Sequence, residues 1–185
     1  MPTVDALWRR SFGNTPPVGF ALRAAYSERW VRIHNLPECK RYPDSPSELS
    51  LLLARQNSVA NCVLVPPDPC YVFIRIPGFA GEYAKFPWFH RLSFSAVPSL
   101  TDRSDPDEAL EFAFACAIWR PGSYDDLLID VAIETVPSVT FYSPIADTAF
   151  APYDGGADII AGSKWDVPSL KVKWRDWLSP LPSAL

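Results

Sequence analysis

The chain predicts a single α+β domain spanning residues 1–185, with a mixed or mainly antiparallel sheet and helices packed against it. Three observations carry that prediction. Residues 29–36 and 112–119 alternate in the two-residue period of strands, whereas the stretch following Ser45-Pro46-Ser47-Glu48 keeps helical spacing. Hydrophobic residues make up 48% of the chain and aromatics 14%, including seven Trp, a composition incompatible with disorder. At 185 residues the chain can bury one substantial core, and no linker or internal repeat divides it.

Taken in order, residues 3–11 and 16–26 read as two short helices split by Gly13-Asn14-Thr15-Pro16-Pro17, covering one side of the sheet. In residues 29–36, alternation puts Trp30, Arg32, His34 and Leu36 on one face of a strand and Val31, Ile33 and Asn35 on the other. Pro37 ends it, and Lys40-Arg41-Tyr42-Pro43 is a basic connector. Ser45 is an N-cap, Pro46 suits the first helical position, and Glu48 completes a capping box. The helix that follows, ending near Cys62, turns Leu49, Leu52, Leu53, Gln56, Val59, Ala60 and Val63 inward, with Glu48, Arg55, Asn57 and Asn61 toward water.

Residues 62–65 and 70–76 are β-like runs about Pro66-Pro67-Asp68-Pro69, which predicts a hairpin, and a further strand is expected from near Trp88. Residues 101–107 read as a polar loop. In residues 112–119 helix-start chemistry upstream competes with alternation of large and small side chains; the strand is preferred because two such faces suit a sheet between layers. Ser123-Tyr124-Asp125-Asp126 resembles a helix cap, yet residues 129–134 also alternate as a strand, so periodicity leaves both open. Residues 139–143 and 148–151 pair as a hairpin, feeding the corner Tyr153-Asp154-Gly155-Gly156 and a strand over 157–161. There the Asp-Gly-Gly run supplies residues that tolerate positive φ. Leu170, Trp174, Trp177 and Leu178 close the chain as an amphipathic helix. Leu49, Leu52, Leu53, Phe114, Ile118, Trp174 and Trp177 are the core expected from these faces.

The formal net charge is −4, unevenly spread: residues 1–99 hold 11 basic and 7 acidic side chains, residues 100–185 hold 6 and 14, so the halves carry +4 and −8. An acidic half repels nucleic acid and attracts a basic partner. No apolar run approaches the roughly 18 to 20 residues of a membrane span. The N-terminus lacks the basic-then-apolar order of a signal peptide, so retention in the cytoplasm is expected. Cys39, Cys62, Cys70 and Cys116 form no C-x-x-C pair and read as buried free thiols.

The chain has no G-x-S-x-G elbow, P-loop or G-x-G-x-x-G, and no cofactor is implied. Asp125, Asp126, Asp130, Glu134, Asp147, Asp154 and Asp158, interleaved with Tyr124, Tyr142 and Tyr153, suggest a docking face for a basic protein, set against a plain solvated surface. Asp125, Asp126, Asp130, Glu134, Asp147, Tyr153, Asp154 and Asp158 are the expected partner-binding residues. The alternative is a metal-dependent hydrolase with Asp154 and Asp158 as metal-binding carboxylates and His34 or His90 as base. Against it, Asp-Gly at a turn needs no metal to explain it, and each histidine sits among apolar neighbours like a core residue.

Residues 29–43, from Arg29-Trp30-Val31-Arg32 to Arg41-Tyr42-Pro43, and Tyr153-Asp154-Gly155-Gly156-Ala157-Asp158-Ile159-Ile160 with the later Asp176-Trp177-Leu178-Ser179-Pro180, resemble an uncharacterised family of small bacterial cytoplasmic proteins. The C-terminal part is similar to a domain of unknown function with an aromatic residue, an acidic turn, a hydrophobic strand and a helix ending in Trp. The resemblance covers about a third of the chain. It implies a helix over 123–134 and no catalytic residues. Small acidic proteins of this kind resemble immunity proteins, so the expected role is non-enzymatic: binding a cognate basic toxin, with no nucleic-acid or membrane partner.

Overall fold

The computed structural model describes residues 2–76, 80–101 and 110–178. Its centre is a seven-stranded antiparallel sheet, in the order β1-β7-β6-β5-β2-β4-β3. The strands are β1 (Trp30–His34), β2 (Pro69–Ile76), β3 (Ser95–Ala96), β4 (Glu111–Ile118), β5 (Val139–Ser143), β6 (Thr148–Tyr153) and β7 (Gly156–Ile160). The helices are α1 (Val4–Phe12), α2 (Gly19–Ala25), α3 (Pro46–Val63), α4 (Pro87–Arg91), α5 (Asp125–Ala132) and α6 (Val167–Lys173).

Both sheet faces are covered, which is why β5 and β7 are buried along their whole length. One layer is α1 with α2. Val4, Trp8 and Phe12 recur every four residues and are the buried residues of α1. The Trp8 ring meets Phe73 of β2 and Tyr142 of β5 edge-on, at 4.9 and 5.2 Å between centroids. The opposite layer holds α3, α5 and α4, whose Val59, Leu127, Leu128 and Trp88 share a core with Ala113, Ala115 and Ala117 of β4. The large and small faces of β4 thus do separate two layers, with the alanines leaving room for the helical side and Phe112 packing with α1.

The Ser45 cap forms as expected, Ser45 Oγ accepting from the Glu48 amide at 3.3 Å, while the Glu48 carboxylate accepts from the Asp44 amide instead of closing the box on Ser45. Residues 123–134 contain the helix α5, and the hairpin β5–β6 pairs Phe141 with Phe150. The end of the chain is split, α6 giving way to a 3₁₀ turn at Arg175–Trp177.

Several expectations are overturned. Residues 62–65 form no hairpin strand: α3 runs on to Val63, burying Val63 and Leu64, and the strand begins only at Pro69. The strand from Trp88 is the helix α4, with Pro87 in its first turn; Trp88 and Leu92 are one helical turn apart and both buried, a spacing that a short alternating run also satisfies. Arg55 does not face water but is 7% exposed, donating from Nη1 to the His34 carbonyl at 2.9 Å and lying over the Trp177 ring. Of the expected core, Leu52 and Trp174 are buried, Leu49, Leu53, Phe114 and Trp177 half-buried, and Ile118 44% exposed. Burial falls away along that face of β4 from Phe112 through Phe114 to Cys116 and Ile118. The cysteines are free, but only Cys70 is buried, Cys39 and Cys116 being exposed. The polar loop expected over 101–107 lies, apart from Thr101, outside the described residues.

Leu52→Ala, at a fully buried position, is expected to destabilise the fold by about 2 to 5 kcal/mol in urea unfolding. Ile118→Ala is expected to change it by no more than about 0.5 kcal/mol.

Candidate functional site

Strands β6 and β7 join through Asp154-Gly155, with Tyr153 paired to Gly156. The two glycines are not there for positive φ, as the sequence suggested, since neither adopts it. They are there for space. A methyl group on Gly156 would overlap the Ile33 carbonyl oxygen of β1, and one on Gly155 would stand 3.1 Å from the Tyr153 ring.

The corner is held from behind by two buried amides. Asn35 Nδ2 donates to the Asp154 carbonyl at 2.9 Å and to that of Tyr153 at 3.3 Å, while the Asn35 amide donates to Gly155 O at 3.0 Å. Gln56 Nε2, on α3, donates to Gly156 O at 2.9 Å and to Asn35 Oδ1. The carbonyls of residues 153 to 156 are all satisfied by this arrangement, which ties β1 and α3 to the corner.

In front of the corner, beneath α2, lies a cleft of about 430 Å³. Arg23, Arg32, Arg41, Tyr153, Asp154 and Asp158 line it with Val18, Phe20, Val139 and Pro152. Asp158 is 5% exposed and sits opposite Arg32 in the β1–β7 register. Its Oδ1 accepts from Arg32 Nε at 3.0 Å and from the Trp30 indole at 2.8 Å. The Arg32 guanidinium also lies against the rings of Trp30 and Tyr153, 5.2 Å from each centroid. Asp154, 7% exposed, is paired with the exposed Arg41. Arg23 lies against Trp30 at 5.6 Å and has no carboxylate partner among the described residues. Burial pushes the Tyr153 phenol up to about 12; Arg32 opposes that shift, and Asp158 and Asp154 add to it. The hydroxyl is therefore a neutral donor at neutral pH.

The partner-binding residues expected from sequence separate into groups. Tyr153, Asp154 and Asp158 meet in the cleft, and Glu134 meets Tyr153 and Asp154 at a neighbouring hollow of about 230 Å³ lined also by Val131 and Val136. Glu134 accepts from the Tyr42 hydroxyl at 2.6 Å. Asp125, Asp126 and Asp130 lie along α5 with partners of their own: Asn57 Nδ2 at 2.7 Å, Arg91 at 2.7 Å and the Trp88 indole at 2.7 Å. Asp147 stands in the turn before β6, at the opposite end of that strand from Tyr153, bonded to Ser11. Tyr124 and Tyr142 are buried. Sequence reasoning missed the arginines, although Arg32 shares a strand face with Trp30; the carboxylate partners of Arg32 and Arg41 lie more than a hundred residues away.

Neither histidine joins the two aspartates. His34 lines a separate hollow with Arg55 and Trp177, and burial, then Arg32 and Arg55, hold its imidazole below the ordinary histidine pKa. His90 Nε2 bonds the Ala84 carbonyl at 2.6 Å on α4. Among the described residues no three His, Cys, Asp or Glu side chains come together as metal ligands, and the counterions of Asp154 and Asp158 are guanidinium groups. The free donors of the cleft suit an incoming acceptor or anion.

Comparison with protein families matches residues 18–182 to DUF3885, a domain of unknown function, and the chain belongs to that family. The match takes in both segments on which the resemblance rests, and also residues 77–110. No curated protein and no solved structure matches the chain significantly. Among the described residues no helix is long and apolar enough to cross a membrane.

Removing the Asp158 carboxylate leaves Arg32, whose side chain is only 10% exposed, without a counterion, so Asp158→Ala is expected to cost about 3 kcal/mol in urea unfolding. The Tyr153 shift sets an alkaline signature. An unfolded phenol ionises near about 10, so above that pH the unfolded chain has released a proton that the folded chain keeps until about 12. Stability then falls as pH rises through this window, and Tyr153→Phe is expected to make the fall shallower. Unfolding titrations at stepped pH, with phenolate absorbance followed in parallel, check it.

Proposed function

We propose that this DUF3885 chain is a non-enzymatic protein-binding domain, most concretely an immunity protein that neutralises a toxin by covering its working surface. The docking centre is the Tyr153 corner with the adjoining end of α5. The observation that carries this reading is the composition of that corner. Arg and Tyr dominate binding energy at protein interfaces, and here Arg23, Arg32, Arg41 and Tyr153 surround a preformed cleft. Phe20, 57% exposed, lines the cleft, and Tyr42, 40% exposed, lies under the Arg41 guanidinium; both leave large apolar surface to solvent.

Rigid backing favours the same reading. With the corner carbonyls tied to Asn35 and Gln56, little ordering entropy remains to be lost when a partner docks. The −8 charge of residues 100–185 acts at longer range, steering a basic partner toward the molecule. A competing reading, a metal-dependent hydrolase using Asp154 and Asp158 with His34 or His90, draws on the two aspartates sharing one cleft. Divalent-metal-dependent turnover lost in a folded Asp158→Asn variant would replace the binding reading.

Capture of the neighbouring gene's product by the tagged chain, followed by rescue of growth on co-expression, tests the proposal. Phe20→Ala and Tyr42→Ala are each expected to weaken the complex about tenfold, or about 1.4 kcal/mol. Reversal of Asp125 and Glu134 to Lys is expected to slow association and flatten its dependence on salt, with an unchanged circular dichroism spectrum. Absence of both capture and protection would overturn the immunity reading.

A further inference from the structure

The cleft in front of the corner has a charge and hydrogen-bond imbalance that identifies what it accepts. Three guanidinium groups line it against two carboxylates. Asp158 is taken by Arg32 and Trp30, and Asp154 by Arg41. Arg23 is left over. Its guanidinium has five N–H donors, and its contact with the Trp30 ring at 5.6 Å uses none of them in a hydrogen bond to a described residue. Trp30 is also where Arg32 lies, at 5.2 Å, so the unpaired cation stands against the wall formed by the buried pair. The Tyr153 hydroxyl is a second donor without an acceptor among the described residues. Arg23 and Tyr153 are thus unmatched donors, and the cleft carries one surplus positive charge beside the Arg41–Asp154 ion pair, in which Asp154 Oδ2 accepts no hydrogen bond from a described residue. Of the remaining wall residues Ser138 is polar, while Val18, Phe20, Val139 and Pro152 give an apolar surface.

We propose that this cleft is a carboxylate-binding site, taking one carboxylate on an apolar body, with Arg23 as the anion's partner and Tyr153 as a second donor. One surplus charge matches a monoanion better than a phosphate dianion, and a planar carboxylate fits a guanidinium fork with two parallel bonds. The volume of about 430 Å³ lies within the usual range for ligand sites and leaves room for the apolar body beside Phe20. Two sources present this chemistry: an Asp or Glu side chain of the protein partner beside an apolar residue, or a free organic acid. The first rests on the protein-binding reading above; the second does not.

The experiment is a titration of the full-length ¹⁵N-labelled chain with 3-phenylpropionate, its neutral amide and inorganic phosphate at constant ionic strength. Readouts are the Trp30 indole N–H and the Arg23 Nε–H resonances. The expected result is saturable movement of both with the carboxylate, at least tenfold weaker binding of the amide and of phosphate, and at least tenfold weaker binding of the carboxylate to Arg23→Gln, whose melting temperature is unchanged. No saturable shift, equal binding of the amide, tighter binding of phosphate, or binding indifferent to Arg23→Gln would each overturn the proposal. Partner capture repeated with saturating 3-phenylpropionate separates the sources. Loss of capture identifies the partner's acidic side chain as the occupant; capture unaffected by a filled cleft identifies a free organic acid. Failure to find any partner would end the protein-binding reading alone, because the titration does not involve one.

Discussion

The four consecutive backbone carbonyls of residues 153 to 156 end the β6–β7 hairpin, where Asp154, Gly155 and Gly156 are buried, and a buried carbonyl without a donor costs about 1 to 3 kcal/mol. Asn35 and Gln56 supply those donors. Much of the structure follows from this requirement. Asn35 must leave β1 on the inward face, Gln56 must present itself from the third turn of α3, and residue 156 must lack a Cβ for β1 to approach. The corner that results is a fixed platform instead of a free hairpin tip, and the cleft in front of it inherits that rigidity.

The charges tell a related story. Along the chain the basic and acidic side chains are segregated, yet folding pairs them across the molecule: Arg10 with Asp147, Arg32 with Asp158, Arg41 with Asp154 and Arg91 with Asp126. In each pair the cation comes from the first half and the acid from the second. The antiparallel pairing of β1 with β7 is the structural cause of the most buried of them, because it sets Arg32 opposite Asp158. What the cleft presents is thus the remainder of a nearly complete neutralisation, a half-buried Arg23 and a neutral phenol, held among apolar walls. Such a remainder is directional in a way that a diffuse acidic surface is not.

The two-sided cover of the sheet leaves its central strands without a water-facing side. When both faces are buried, a strand has no solvent face to mark it: β5 and β7 are buried along their whole length, with Thr140, Ser143 and Asp158 included. In a short segment such as residues 87–92, a Trp and a Leu four positions apart satisfy the strand and helix periods equally. Tertiary packing chose the helix, because Trp88 and Leu92 could both be buried that way while the indole reached Asp130.

The sequence by itself determined the α+β class, the α3 start at its Ser45 cap, the strand at residues 112–118 from its large and small faces, the β5–β6 hairpin and the Tyr153 corner. These are local statements: capping chemistry, turn residues and side-chain period act over a few positions, and the chain carries them in plain view. Tertiary structure alone decided that Arg55 turns inward to the His34 carbonyl, that the corner glycines serve close approach and not positive φ, and that Asp154 and Asp158 carry arginine partners. It also dispersed the acidic set, leaving Asp147 at the far end of β6 from the corner. Each of these depends on which distant backbone or side chain arrives alongside, and the energy that fixes it, through buried hydrogen bonds and ion pairs, exists only once strands more than a hundred residues apart have been brought into register.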